Sequence, residues 1–111
     1  QALTRALPEA FVWDRLFLVL GVSANKDIGG IVRSLAPLAP ARVFAVRNAS
    51  ERSAAADRVA EACRALGLDT ETAPSVEAGL ASARSVASEG DLILVTGSLY
   101  TVADARRAII T

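Results

Sequence analysis

The feature that most constrains this chain is a regular alternation of apolar runs of strand length with Ala-rich segments of helical period. Arg15-Leu16-Phe17-Leu18-Val19-Leu20-Gly21 is an unbroken apolar run closed by glycine, which reads as a strand covered on both faces. Ile28, Ile31, Val32, Leu35 and Leu38 recur at helical spacing and stop near Pro37 and Pro40. Arg42 to Val46 reads as a second strand. Ser53 to Leu66 reads as a helix with Val59, Ala62, Cys63 and Leu66 on one stripe and Gly67 as its C-cap. Asp69 to Ala73 is a weaker strand, expected at a sheet edge. Ser75 to Ser88 is a helix capped by Ser75, and Asp91 to Thr96 is a further buried strand. Helices are expected over Ala2 to Phe11 and over Thr101 to Ile110, the latter opened by the capping-box spacing of Thr101 and Asp104.

The order α-β-α-β-α-β-α-β-α implies a mainly parallel, Rossmann-like sheet between two layers of helices, a three-layer αβα architecture. The chain opens on a helix, so the strand that should precede it is lacking and the architecture is expected to be incomplete. An unfilled strand position exposes sheet edges, so a dimer through such an edge is a further expectation.

Composition narrows the function. The 111 residues suit a single domain over 1–111, and a hydrophobic share of 52% excludes a disordered chain. Twelve basic and twelve acidic residues cancel, which gives no electrostatic footprint for nucleic acid or an anionic membrane. The longest apolar run, Leu16 to Val22, falls far short of the roughly 20 residues a membrane helix needs. Histidine is absent, so no His ligand, His base or Ser–His–Asp triad exists within the chain. A single cysteine, Cys63, fits a reducing compartment such as the cytoplasm. The opening Gln1-Ala2-Leu3 is what an internal fragment would show.

Ligands of open parallel sheets bind beyond the carboxyl ends of the strands. Two apolar strands end there in Gly21-Val22-Ser23-Ala24-Asn25-Lys26-Asp27 and in Gly97-Ser98-Leu99-Tyr100-Thr101. Each loop runs into a helix N-terminus, where unpaired N–H groups favour an anion. Lys26 adds a full positive charge and Ser98 a hydroxyl; Asn25, Asp27 and Gly97 are further loop contributors. Plainer readings stand beside these. Asn25 and Asp27 suit helix capping, Lys26 suits a solvated surface, Ser98 suits a turn, and Cys63 suits the core. The first loop lacks the second glycine and the Lys-Ser/Thr pair of a Walker motif. Neither paired carboxylates nor a metal site is expected.

At these loops the chain resembles the C-terminal domain of bacterial folylpolyglutamate synthase/dihydrofolate synthase, in the Mur ligase superfamily. The resemblance lies in Leu18-Val19-Leu20-Gly21-Val22-Ser23-Ala24-Asn25-Lys26-Asp27, with Asn25 replacing an acid, and in Leu92-Ile93-Leu94-Val95-Thr96-Gly97-Ser98-Leu99-Tyr100. Arg52-Ser53 loosely matches an Arg-Ala-like pair, and Val102 to Arg106 the closing helix. The resemblance implies an ATP-dependent ligase that joins L-glutamate to a folate or pteroate carboxylate through an acyl phosphate. ATP and magnesium belong to the parent enzyme, with none bound by this fragment alone. It implies that this domain helps position glutamate, with Lys26 and Ser98 on its carboxylates and no residue here catalytic. Its partners would be the remaining domains of the parent, glutamate and folate, without nucleic acid or membrane. The family's first strand, with its Asp-Gly-Ala-His-Asn-like motif, has no counterpart here, so the chain alone is expected to be inactive. The alternative is a stand-alone, non-catalytic α/β ligand-binding or interaction module.

Overall fold

A computed structural model describes residues 14–48 and 53–96. Among these residues there are four strands and three α-helices: β1 (Leu16–Leu20), α1 (Ile28–Leu35), β2 (Arg42–Val46), α2 (Ala56–Ala65), β3 (Thr70–Ala73), α3 (Val76–Val86) and β4 (Leu92–Thr96). The strands form one sheet in the order β3-β2-β1-β4, and every pairing is parallel. The helices expected over residues 2–11 and 101–110, and the segment 97–100, lie outside the described residues.

The sheet has two buried faces because its strands are apolar at successive positions. Leu16, Leu18, Leu20, Val43 and Ala45 point to one side and pack on Ile28, Val32 and Leu35 of α1 and on Val59, Ala60 and Cys63 of α2. Phe17, Val19, Phe44 and Val46 point to the other and pack on Val76, Leu80 and Ala83 of α3. This is the αβα layering that the sequence implies. Each Val, Leu, Ile or Phe side chain so removed from water contributes about 1.5–3 kcal/mol. The connections explain which helix lies where. α1 and α2 carry the chain stepwise outward from β1 to β2 to β3. α3 then returns it past β1 to β4, and a right-handed crossover in that reversed direction puts α3 on the opposite face.

Local chemistry sets the boundaries. Ser75 Oγ accepts from the Ala78 N–H at 3.1 Å and starts α3 as expected. Gly67 takes a positive φ of 76°, and its N–H reaches the Arg64 carbonyl while the Leu68 N–H reaches that of Cys63. Those two bonds make a Schellman close to α2. The α-helix from Ile28 ends at Leu35, not Leu38. Pro37 has no N–H to continue the ladder, and Ala36–Leu38 tightens into a 3-10 turn.

Three expectations need correction. The helix expected from Ser53 begins only at Ala56, because Ser53 is drawn into an antiparallel bridge with Ser23. Leu66 is 42% exposed rather than on the buried stripe, since the chain turns at Gly67 and Leu68 packs on the core in its place. β4 is half-buried rather than buried, because among the described residues it pairs with β1 alone.

α3 approaches the sheet most closely at Gly79, where an added Cβ would stand 2.5 Å from Val46 Cγ1. Valine is stiff at χ1 and cannot swing aside. Gly79→Ala is therefore expected to destabilise the domain by about 1–3 kcal/mol despite alanine's better helix propensity. Urea unfolding measures it.

At the opposite end of β1 and β4 from their carboxyl termini, Arg15 and Asp91 form a clasp. Asp91 Oδ2 lies 2.8 Å from Arg15 Nη2, Oδ1 accepts from the Arg15 backbone N–H at 3.1 Å, and Oδ2 also accepts from the Ser88 N–H at 2.8 Å. The carboxylate is 2% exposed, covered by these partners rather than by the core. The Arg15 guanidinium also stacks 5.1 Å from the Phe17 ring centroid. The hydrogen bond from Arg15, then that from Ser88, hold the Asp91 carboxyl below the usual carboxylate range. A depressed folded-state pKa contributes stability above the unfolded value and loses it as pH falls through the folded one. The stability gap between the native chain and Asp91→Asn should therefore be full at neutral pH. It should shrink as pH drops below the ordinary value of 3.8, as unfolding curves across that range would record.

Candidate functional site

In a parallel sheet the crevice for ligands opens where successive connections leave in opposite directions. Here that point lies between β1 and β4, the first left by way of α1 and the second reached by way of α3. The two strands run in register from Leu16↔Leu92 to Leu20↔Thr96. The Gly21 N–H then extends the ladder to the Thr96 carbonyl at 3.2 Å. The exits of these strands therefore share one rim. Gly97 and Ser98, expected to serve the site, lie outside the described residues; Thr96, directly before them, is placed beside Leu20.

The loop after β1 is fully described and firmly tied. Val22 is 0% exposed, and its carbonyl accepts from the Ala54 N–H at 2.8 Å. Ser23 pairs antiparallel with Ser53, and the Lys26 N–H closes a turn on the Ser23 carbonyl at 3.1 Å. Arg58, on α2, reaches the Ala24 carbonyl at 3.5 Å. From this base Ala24, Asn25, Lys26 and Asp27 project into solvent.

Asp27 performs the capping role that its residue type suggests. Its Oδ1 accepts from the Gly30 N–H at 3.1 Å, and its backbone carbonyl accepts from the Ile31 N–H at 3.0 Å. One donor of the α1 terminus is thus occupied by the chain's own carboxylate. Asp27 also lies 3.9 Å from Arg33, but both side chains are more than half exposed, and such a pair adds little. A Cβ at position 30 would push the Asp27 carboxylate out of its capping position.

Lys26 is exposed and, among the described residues, belongs to none of the ion pairs, which are those of Arg15, Arg33 and Arg42. Its ammonium is available for an anion. It borders a shallow groove of about 470 Å³ that also meets Gly29, Arg58 and Glu61. Among the described residues no group of three His, Cys, Asp or Glu side chains converges to hold a metal ion. No described helix is long and apolar enough to cross a membrane. Cys63 is wholly buried, and that burial pushes its thiol pKa up.

Sequence reasoning missed Ser53 and Asn48, the two buried polar residues described, at 7% and 5% exposure. The Asn48 N–H donates to Ser53 Oγ at 3.1 Å, and that hydroxyl donates onward to the Ala54 carbonyl at 3.2 Å. A serine shortly before an Ala-rich helix looks like a helix-start residue. No local signal marks its cross-loop pairing.

These features define a Rossmann-like α/β domain with a cationic loop at its switch point. A family model described as "Mur ligase, glutamate ligase domain" matches residues 1–99, and the chain belongs to that family. Among curated proteins it is 36% identical over 97 residues to a probable bifunctional folylpolyglutamate synthase/dihydropteroate synthase of Halobacterium salinarum, which covers 86% of this chain and 12% of that protein. It is 35% identical over 99 residues to the protein of the same name in Haloferax volcanii. Among solved structures it superposes on E. coli FolC in complex with DHPP and ADP, with a TM-score of 0.82 and 26% identity over 97% of this chain and 25% of that one. The Mycobacterium tuberculosis folylpolyglutamate synthase complexed with ADP and AMPPCP gives a TM-score of 0.77 at 26% identity, over 97% of this chain and 26% of that one. The chain thus spans about an eighth of the curated relatives and a quarter of the solved ones.

The capping geometry carries its own expectation. Asp27→Ala should destabilise the domain by about 0.5–2 kcal/mol through loss of the α1 cap. Asp27→Asn or Asp27→Ser should restore most of it, as thermal melts would show.

Proposed function

We propose that this chain acts as part of a longer ATP-dependent ligase that adds L-glutamate to a folate or pteroate carboxylate. In this reading the acceptor carboxylate takes the γ-phosphoryl group of ATP and releases ADP. The glutamate amine then attacks the acyl phosphate and expels phosphate. The contribution of this domain is to hold the incoming glutamate so that its amine faces the acyl carbon, which lowers the barrier by orientation and not by proton transfer. Lys26 pairs with one glutamate carboxylate, and Ser98 donates its hydroxyl to the other.

The observation that carries this reading is the in-register pairing of β1 with β4 at the switch point. It gives the loop bearing Lys26 and the residue preceding Gly97-Ser98 a common rim. The family membership supplies the reaction class, and the relatives' names supply the folate substrate. Use of a nucleotide and a metal ion by the parent is in keeping with related enzymes solved with ADP, and with AMPPNP and an Mn ion.

The test uses the intact parent ligase. Lys26→Ala and Ser98→Ala should each raise the glutamate KM by at least about tenfold, the cost of losing a hydrogen bond to a charged group. The KM for ATP should stay as it was. Unchanged glutamate KM in both variants would overturn the assignment.

A further inference from the structure

The loop that bears Lys26 does not owe its place to β1 alone. Its base is held from the side by the segment that leads into α2. The Ala54 N–H binds the Val22 carbonyl at 2.8 Å, and Ser23 is bridged to Ser53. The segment 53–54 is in turn fastened to the end of β2. Ser53 Oγ accepts from the Asn48 N–H at 3.1 Å and donates to the Ala54 carbonyl at 3.2 Å. Ser53, a residue 7% exposed, thus joins two exits, that of β2 through its hydroxyl and that of β1 through the backbone of its own segment. Buried polar groups persist where they are satisfied and fix one arrangement over its alternatives. From Ser53 the route to Lys26 is short: the bridge to Ser23, then the Lys26 N–H on the Ser23 carbonyl at 3.1 Å.

We infer that Ser53 is a positioning residue for glutamate: its hydroxyl anchors to the end of β2 the segment whose backbone holds the β1 exit, and so sets where the Lys26 ammonium stands. This rests on the reading of Lys26 given above. Ser53 itself touches no substrate. Its loss lets the 22–26 turn move away from the rim without abolishing the fold, because the apolar core beneath the loop does not include Ser53.

The experiment compares Ser53→Ala, Ser53→Thr, Lys26→Ala and the double variant Ser53→Ala/Lys26→Ala in the intact parent ligase. Two readouts are taken: steady-state kinetics, and amide hydrogen exchange over residues 22–27. Ser53→Ala should speed exchange at the Lys26 N–H and raise the glutamate KM about five- to tenfold, with kcat and the KM for ATP little changed. Ser53→Thr, which keeps the hydroxyl, should recover both. The double variant should be no worse for glutamate than Lys26→Ala alone, since both changes act through one ammonium. Unchanged exchange in Ser53→Ala would overturn the inference. So would faster exchange with an unchanged glutamate KM, provided that Lys26→Ala does raise it. If Lys26→Ala leaves the glutamate KM unchanged, the reading of Lys26 has failed, and this role for Ser53 fails with it. Should Ser53→Ala not fold, Ser53→Cys, of similar shape but a weak acceptor, carries the same comparison.

Discussion

Everything in this domain hangs from β1. Like β2, it has parallel neighbours on both sides and helices against both faces, but it alone among the described strands has every residue buried. Its backbone satisfies β2 on one flank and β4 on the other, while its side chains alternate between two separate cores. A one-residue slip against either neighbour would exchange Leu16, Leu18 and Leu20 for Phe17 and Val19 between the faces. The faces are differently filled, aliphatic toward α1 and α2 and aromatic toward α3, where Phe17 and Phe44 lie 6.5 Å apart. Register is therefore set by packing as well as by hydrogen bonds. At its start β1 is fastened to β4 by the Arg15–Asp91 clasp.

That one constraint reaches the rim where the site is proposed. A strand fixed at its start and along its length delivers its exit loop to a defined spot. The loop is then trimmed by backbone bonds to the segment before α2. Specific side chains enter late in this construction. Asp27 caps a helix, Ser53 joins two exits, and Lys26 is left exposed on the resulting ledge. The two outer strands differ in how they meet solvent. β3 is short and polar, with Arg42 bridging to Asp69 and Glu71 across from β2, which is how edge strands are commonly protected. β4 carries Leu92 to Val95 half-covered.

Most of the scaffold is legible in the sequence, because its signals are local. The run Leu16 to Leu20 is apolar at every position, too short for a helix and closed by Gly21, which favours a strand buried on both sides. Ser75 and Gly67 mark helix ends through their own backbone and side-chain chemistry. Asp27 sits where a cap is needed. What is not legible depends on partners distant in the chain. Ser53 resembles a helix-start residue until Ser23 is placed beside it. The half-buried state of β4 follows from its place in the sheet order, since its composition matches that of β1. Leu66 continues the apolar stripe of α2 in sequence, but the close at Gly67 turns it outward. At the site the type and order of the loop residues are readable, and Lys26 is found exposed. Ser98 lies outside the described residues, and no spacing along the chain encodes its distance to Lys26.

The lone thiol of the chain lies at the centre of the layer between α2 and the sheet, with no surface of its own. Cys63 thus doubles as an intrinsic gauge of integrity. A maleimide or disulfide reagent can meet it only when α2 lifts from the sheet. Its rate of labelling therefore counts the opening of this layer, with no engineered probe and without disturbing the rim above.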